Sequence, residues 1–273
     1  MVKTLPTVFH ITHYKAGSQW ILQVLQECAP ERYVQPHVLL EQFYKDPIVP
    51  GGVYPTVYVP YQKFQDTMFP KVDLDAATYQ YSDQDEASVK NWYNFTVKKS
   101  PFKTFVVIRD LRDTLVSLYF SIKVSHAELS AQISKGRVEL NEMSFEDGFL
   151  WVLKQRTPVQ ARIQSSWLPV CQSGESILMR YEDMLADEVG QFEKIVDHCE
   201  INISRFRLHQ IIKSNSFANR TGRKPGQEDV SSHYRKGISG DWKNHFTEPL
   251  KNFFKLRFGQ VLIDTGYEKD LNW

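Results

Sequence analysis

The fold turns on Val8-Phe9-His10-Ile11-Thr12-His13-Tyr14-Lys15-Ala16-Gly17-Ser18-Gln19-Trp20, continued by Ile21-Leu22-Gln23-Val24-Leu25-Gln26-Glu27-Cys28. The first part reads as a short apolar strand and the middle as a tight turn holding one lysine and one glycine. The last part reads as a helix whose apolar residues Ile21, Val24, Leu25 and Cys28 recur at i, i+3, i+4 and i+7. Strand, small-residue turn and helix together form an anion cradle. The free N–H groups of the first helical turn point into the loop, the helix dipole favours negative charge there, and Lys15 adds a full positive charge. The nucleoside-triphosphate pattern G-x-x-x-x-G-K-[ST] is not met, because paired glycines and a Lys-Ser/Thr pair are both missing. A mononucleotide triphosphatase is a poor fit. Taken alone, the turn also reads as a plain strand-to-helix connection.

The same unit recurs downstream. Lys103-Thr104-Phe105-Val106-Val107-Ile108 has the apolar run of a strand buried on both faces of a parallel sheet. Arg109 and Asp110 end it, and Leu115, Leu118, Tyr119 and Ile122 then repeat at helical spacing, with Asp110 and Asp113 expected to cap the first turn. The turn carries Arg109 and Arg112, and the helix carries Ser117. Ser176-Ile177-Leu178-Met179-Arg180-Tyr181 predicts a third strand, and Leu185, Val189, Phe192 and Val196 mark the helix after it. Three such units predict an α/β fold, a central parallel sheet with helices on both faces. Ligands are expected at the carboxyl ends of the strands, where Lys15, Arg109 and Tyr181 fall.

Other segments give weaker signals. Arg32-Tyr33-Val34 and Thr56-Val57-Tyr58-Val59 read as short strands, and the proline-punctuated stretch between them reads as loop with a helical turn at Val38 to Tyr44. The acidic segment 68–93 reads as a lid or insertion, with an amphipathic helix from Glu86 to Phe95. Ser130 to Asn141, polar and holding Gly136, is expected to be a loop. Ser144-x-x-Asp147 is a capping box opening a helix, and Val159 to Trp167 and Phe206 to Ile212 are further helices.

The chain has 273 residues, 42% apolar and 24% charged, enough for one large core, so a single domain is expected. A net charge of +1 gives no global case for nucleic acid or an anionic membrane, so any anion site is local. No run approaches the ~18 apolar residues of a membrane span and no signal-peptide core follows the N-terminus, so a cytoplasmic protein is expected. Cys28, Cys171 and Cys199 are odd in number and widely spaced. They predict reduced thiols, with neither a disulfide framework nor a metal site.

Near the C-terminus Arg220, Arg223, Lys224, Arg235 and Lys236 alternate with glycines, too basic and glycine-rich for regular structure. Within this stretch, Arg235-Lys236-Gly237 lets backbone N–H groups and two cations converge on one anion. Arg235 to Thr247, read as Arg-Lys-Gly-x-x-Gly-Asp-Trp-Lys-Asn-x-Phe-Thr, resembles the C-terminal signature of the cytosolic sulfotransferases. These use 3′-phosphoadenosine 5′-phosphosulfate (PAPS). The opening motif of that family, Tyr-Pro-Lys-Ser-Gly-Thr-Thr-Trp, is matched by His13 to Trp20. Its strand ending in Arg-Asp with a downstream Ser is matched by Arg109, Asp110 and Ser117, and its Tyr-Glu-Asp by Tyr181-Glu182-Asp183. Four motifs in order over nearly the whole chain are far more specific than any one.

The resemblance implies roles position by position. Lys15, Gly17, Ser18, Gln19 and Trp20 would hold the phosphosulfate and stack near the adenine, and Arg109 and Ser117 would bind the 3′-phosphate. Tyr181, Asn215 and Phe217 would form the purine pocket, and Arg235, Lys236 and Gly237 would close over the 3′-phosphate as part of a loop spanning 215–245. The implied reaction is in-line sulfuryl transfer to a hydroxyl, less readily an amine, of a small-molecule, lipid or saccharide acceptor. Lys15 would be catalytic. Where the family has its base histidine in Lys-x-His-Leu-Pro, this chain has Thr56-Val57-Tyr58-Val59-Pro60. The base is therefore open among His126, Glu41, His13, His37 and Tyr58. Ala16 and Gln19 also depart from the family motif, and a familiar dimerisation segment is absent after Thr247, leaving the oligomeric state open. A catalytically inactive nucleotide-binding scaffold and a kinase-like phosphotransferase are the alternatives.

Overall fold

Strand β1 (Thr7–Thr12) lies inside a four-stranded sheet of order β2-β1-β3-β4, with β2 at Val53–Val57, β3 at Phe102–Ile108 and β4 at Ser176–Arg180. The structure is a computed structural model and describes residues 5–36, 48–68, 101–127 and 131–273. Every pairing is parallel. β1 and β3 run in register from Thr7↔Phe102 to Thr12↔Val107, and β3 and β4 from Thr104↔Ser176 to Ile108↔Arg180.

Strand side chains alternate between two helical layers. Val8, Phe105, Val107 and Met179 face α1 (Ser18–Cys28), whose Ile21, Val24, Leu25 and Cys28 are all buried, as their spacing predicts. Phe9, Ile11, Val106 and Ile108 face the other way, against Phe64 of α2 (Tyr61–Met68) and Ile163 and Trp167 of a later helix, Thr157–Gln172. With both faces covered, the apolar run on β3 is explained. A third cluster joins α3 (Leu111–Phe120) to helices that follow it: Leu115 and Tyr119 pack with Leu140, Phe149 and Phe254.

Several local expectations need correction. Asp110 does cap α3, accepting from the Arg112 N–H at 2.8 Å, but Asp113 is buried against the C-terminal segment and accepts from the N–H groups of Gly240 and Trp242 at 2.6 and 2.9 Å. The loop expected over Ser130 to Asn141 is a helix, α4 (Ala131–Glu142). Its glycine misleads: Gly136 packs closely against Trp151, 3.2 Å from where a Cβ would sit, and that packed interface offsets a helix cost of ~1 kcal/mol. Helix α5 (Phe145–Gln155) is capped by Ser144, whose Oγ accepts from the Asp147 N–H at 3.2 Å and donates to the Asp147 carboxylate at 2.7 Å, so the two expected residues meet through the hydroxyl and not through the Ser144 N–H of a capping box. After α6 (Thr157–Gln172) and β4 come α7 (Tyr181–Ala186), α8 (Glu188–His198) and α9 (Arg205–Ser214). The basic stretch after α9 holds a short helix, α10 (Phe217–Thr221), before the long α11 (Glu248–Asp264).

The strand expected at Arg32 to Val34 reduces to a single bridge, Tyr33 to Val53, after a 3-10 turn, and the one expected at Thr56 to Val59 lies earlier, as β2. The helical turn at Val38 to Tyr44, most of the 68–93 segment, and the candidate bases His37 and Glu41 lie outside the described residues. The three cysteines are free thiols, and no described helix is long and apolar enough to cross a membrane.

Candidate active site

The carboxyl ends of β1, β3 and β4 open into one cleft of about 1200 Å³. Its walls include Lys15, Gly17, Ser18, Gln19 and Trp20 from the first turn, and Arg109 and Ser117 from the second unit. Tyr181, Asn215 and Phe217 come from the segments after β4, and Arg235, Lys236 and Gly237 from the C-terminal loop. Every donor-binding residue expected from the sequence therefore lines a single space. His126 and Tyr58 line it too.

The first turn is shaped by backbone torsion. Lys15 (φ 69°) and Gly17 (φ 81°) both occupy the left-handed region, and for a non-glycine residue such as Lys15 this costs ~1–2 kcal/mol. At Gly17 there is no alternative to glycine, since a Cβ would lie 2.8 Å from the Tyr181 ring. The N–H groups of Gly17, Ser18 and Gln19 make no backbone hydrogen bond among the described residues and sit at the positive end of α1. The Lys15 ammonium donates to Ser121 Oγ at 3.2 Å. Burial, then the charges of Arg109 and Arg235, lower its pKa to about 8, so it is cationic at neutral pH.

Arg109 ties three elements together. It donates to the Lys15 carbonyl at 3.1 Å and the Ile238 carbonyl at 3.2 Å, and its guanidinium lies 4.6 Å from the centre of the Tyr181 ring. Its Nε is buried without a hydrogen-bond partner among the described residues. Arg112, the other arginine of that turn, points away. It pairs with Asp110 and Glu268 and lies 4.0 Å from the Trp242 ring centre and 4.4 Å from that of Trp273. Glu182 likewise serves structure, accepting from the Asp110 N–H and the Tyr267 hydroxyl.

In the C-terminal loop, Arg235 and Lys236 both pair with Asp241, the latter at 2.6 Å. Burial alone would raise the pKa of Asp241. The hydrogen bonds from Lys236 and Arg235 hold it well below the carboxylate range. Gly237 (φ 64°) is pressed against Phe217, whose ring would be 2.5 Å from an added Cβ. Asn215 is fixed by Glu27 and Arg220.

The candidate bases separate by geometry. His13 is fully buried: Nδ1 meets the Tyr14 carbonyl at 2.9 Å and Nε2 meets the Arg109 N–H and the Gln164 amide, so neither nitrogen faces the cleft. Tyr58 donates to Ser18 Oγ at 2.8 Å, and burial raises its pKa, which keeps the phenol protonated. His126 follows a π-helical turn, Ser121–Ser125. A carbonyl can only accept, so at 2.8 Å from the Ala127 carbonyl Nδ1 is the donor, and Nε2 makes no hydrogen bond among the described residues. Residues not expected from sequence also line the cleft: Tyr14, stacked on Tyr58 at 4.5 Å, and Arg156, Gln160 and His233. His233 stands exposed at the rim, where the cleft wall, then Lys15 and His126, lower its pKa and solvent limits the effect. Two of these had a sequence signal: Tyr14 lies within the His13 to Trp20 motif and His233 two residues before Arg235.

The sulfotransferase domain profile matches residues 5–266. The chain belongs to the sulfotransferase family. Among curated relatives of this sulfotransferase-family chain, cytosolic sulfotransferase 3 of Arabidopsis thaliana is 29% identical over 181 residues, 62% of this chain and 55% of its own. Human sulfotransferase 2A1 is 27% identical over 180 residues, 62% and 59% respectively. The chain thus spans a little over half the length of these curated relatives. Mouse sulfotransferase SULT7A1, solved with PAP, superposes with a TM-score of 0.62 at 18% identity, covering 97% of this chain and 87% of the other. A retinol dehydratase solved with retinol and PAP gives 0.52 at 15% identity, covering 95% and 82%. At these identities the likeness establishes the sulfotransferase fold.

Proposed function

We propose that this chain transfers the sulfuryl group of PAPS to a hydroxyl, or less readily an amine, of a small-molecule, lipid or saccharide acceptor. One observation carries the reading: two separate cationic turns, around Lys15 and around Arg109 with Arg235 and Lys236, converge on one cleft. A donor with a reactive anhydride at one end and a 3′-phosphate at the other needs two such positions. The fit is supported by the free N–H groups after Lys15, by the unpartnered Nε of Arg109, and by Gly17 and Gly237, where side chains would fill the space. The relatives solved with PAP point the same way.

When bound, the donor supplies a sulfuryl group on a phosphate leaving group, and transfer spreads negative charge over the nonbridging oxygens. Lys15 would neutralise charge on the leaving oxygen, held in reach by Ser121. The N–H groups of Gly17, Ser18 and Gln19 would stabilise the equatorial oxygens without reorganising. Arg109, Ser117, Arg235 and Lys236 would hold the 3′-phosphate, and Tyr181, Trp20, Asn215 and Phe217 would surround the purine. Among the described residues, His126, which lines the cleft and whose Nε2 makes no hydrogen bond there, would take the acceptor's proton.

Thermal unfolding with adenosine 3′,5′-bisphosphate, PAPS and ATP tests donor choice. At ~100 times the dissociation constant a ligand adds ~2.7 kcal/mol, and the first two should raise the melting temperature. A shift with ATP alone would sink the reading and favour a phosphotransferase. Labelled sulfate should pass from PAPS to an acceptor pool, with Lys15→Ala lowering the rate ~10²- to 10³-fold while the fold persists. Binding without transfer to any acceptor would identify an inactive scaffold.

A further inference from the structure

The cations of the cleft fall into two groups. Lys15, Arg109, Arg235 and Lys236 belong to the turns assigned to the donor. Arg156 stands apart, at the joint between α5 and α6, where α6 begins without a side-chain cap. Its guanidinium lies 5.6 Å from the Trp151 ring, it pairs with no carboxylate among the described residues, and its Nε is buried with no hydrogen-bond partner. One helical turn on, Gln160 is 3% exposed and lines the same cleft, and its Oε1 is also buried and unpartnered. Gln164, a turn further, gives its amide N–H to the Arg109 carbonyl at 2.6 Å. The i, i+4, i+8 spacing places all three on one side of the helix. Gln164 braces the donor turns, while Arg156 and Gln160 line the cleft and each holds one buried polar atom without a hydrogen-bond partner among the described residues.

Both residues line the cleft together with Tyr14, Tyr58 and His126. Tyr14, next to Lys15 and stacked on Tyr58, feels the charge of Arg156. A partly buried arginine without a counter-charge is costly against an apolar ligand and favourable against an anion, which its planar fork grips through two parallel N–H donors. The carbonyl of Gln160 then takes a neighbouring hydroxyl or N–H. We propose that Arg156 and Gln160 form a subsite for an acidic group on the acceptor, a carboxylate or a phosphate-type anion, so that this chain selects hydroxylated acids over neutral phenols and alcohols. The inference rests on the sulfotransferase reading, since it names the substrate class of that site.

The test uses wild-type protein saturated with adenosine 3′,5′-bisphosphate and titrated calorimetrically with matched probes: 4-hydroxyphenylacetate, its methyl ester and 4-hydroxybenzylphosphonate, then 12-hydroxydodecanoate and its methyl ester. At least one acid should bind tenfold or more tighter than its neutral counterpart, and the carboxylate-phosphonate order tells which anion the subsite takes. Arg156→Gln should erase that preference while bisphosphate and ester affinities stay within about twofold, and Arg156→Lys should keep part of it. Equal binding of acid and ester, no binding of any acid, or a preference that survives Arg156→Gln overturns the proposal. Failure of the bisphosphate itself to bind would instead overturn the parent reading, and this inference with it.

Discussion

Arg109 donates to the backbone carbonyl of Lys15 at 3.1 Å, so the cation of the second strand-turn-helix unit holds the lysine turn of the first. The same guanidinium reaches the Ile238 carbonyl at 3.2 Å and so fastens the C-terminal loop as well. Segments far apart in sequence meet through one planar group, whose fork can serve two carbonyls where a point charge serves one.

Replacing that fork by a point charge should therefore uncouple the two turns. Arg109→Lys keeps the charge but cannot hold both carbonyls. Hydrogen bonds to charged groups contribute about 1.5–3 kcal/mol, so bisphosphate affinity should fall roughly 10- to 100-fold by calorimetry. Turnover should fall too, because Lys15 loses its brace. Wild-type affinity in Arg109→Lys would show that the two carbonyl contacts contribute nothing to the site.

A second prediction concerns Gly237. Alanine there meets both a left-handed backbone (φ 64°) and the Phe217 ring at 2.5 Å. Gly222→Ala is the control: it has a similar φ of 68° and nothing within 4 Å of the added Cβ. Both variants carry the backbone cost of ~1–2 kcal/mol, so both should lose some thermal stability. Only Gly237→Ala should also weaken bisphosphate binding, by about tenfold or more, because Phe217 must move. Equal affinities in the two variants would remove Phe217 and Gly237 from the proposed purine pocket.

Much of this frame was legible in the sequence because it depends on local pattern. The apolar run from Phe105 to Ile108 and the spacing of Ile21, Val24, Leu25 and Cys28 placed strand and helix correctly, and strand ends necessarily brought Lys15, Arg109 and Tyr181 to one edge. What stayed hidden depends on tertiary contact. Gly136 reads as a loop residue until Trp151 packs against it. Asp113 reads as a helix cap until the N–H groups of Gly240 and Trp242 arrive from far along the chain. Arg156 and Gln160 carry no motif, and only the placement of α6 against the cleft brings them to the same space as Tyr14.

The buried histidines of β1 and its turn should make the protein acid-sensitive. His10 and His13 are fully buried, and burial lowers both pKa values to about 4. Between pH 6.5 and 4 the unfolded chain takes up protons that the folded chain refuses, so stability falls as pH falls and the full loss is reached near pH 4. Each histidine accounts for roughly 3 kcal/mol, at 1.36 kcal/mol per unit, a large share of a typical 5–15 kcal/mol. Urea unfolding at pH 7, 6, 5 and 4.5 should show this decline, and His13→Gln should flatten it. An unchanged slope in His13→Gln would mean that His13 does not resist protonation in the folded chain.

The lysine turn should impose an alkaline limit on donor capture. With its pKa at about 8, Lys15 in the free protein is charged below pH 8 and loses its proton above it. The ratio kcat/KM for PAPS reports the free protein, so it should fall about tenfold per pH unit above that point. Bound anionic donor favours the ammonium, so kcat should hold level to higher pH. Two variants check the assignment. Lys15→Arg, whose guanidinium does not titrate in this range, should lose the alkaline limb of kcat/KM, whatever its absolute rate. Arg235→Gln removes one of the positive charges that lower the Lys15 pKa, so the limb should move to higher pH. A limb that persists unchanged in Lys15→Arg would belong to another group, and the electrostatic account of this turn would fail.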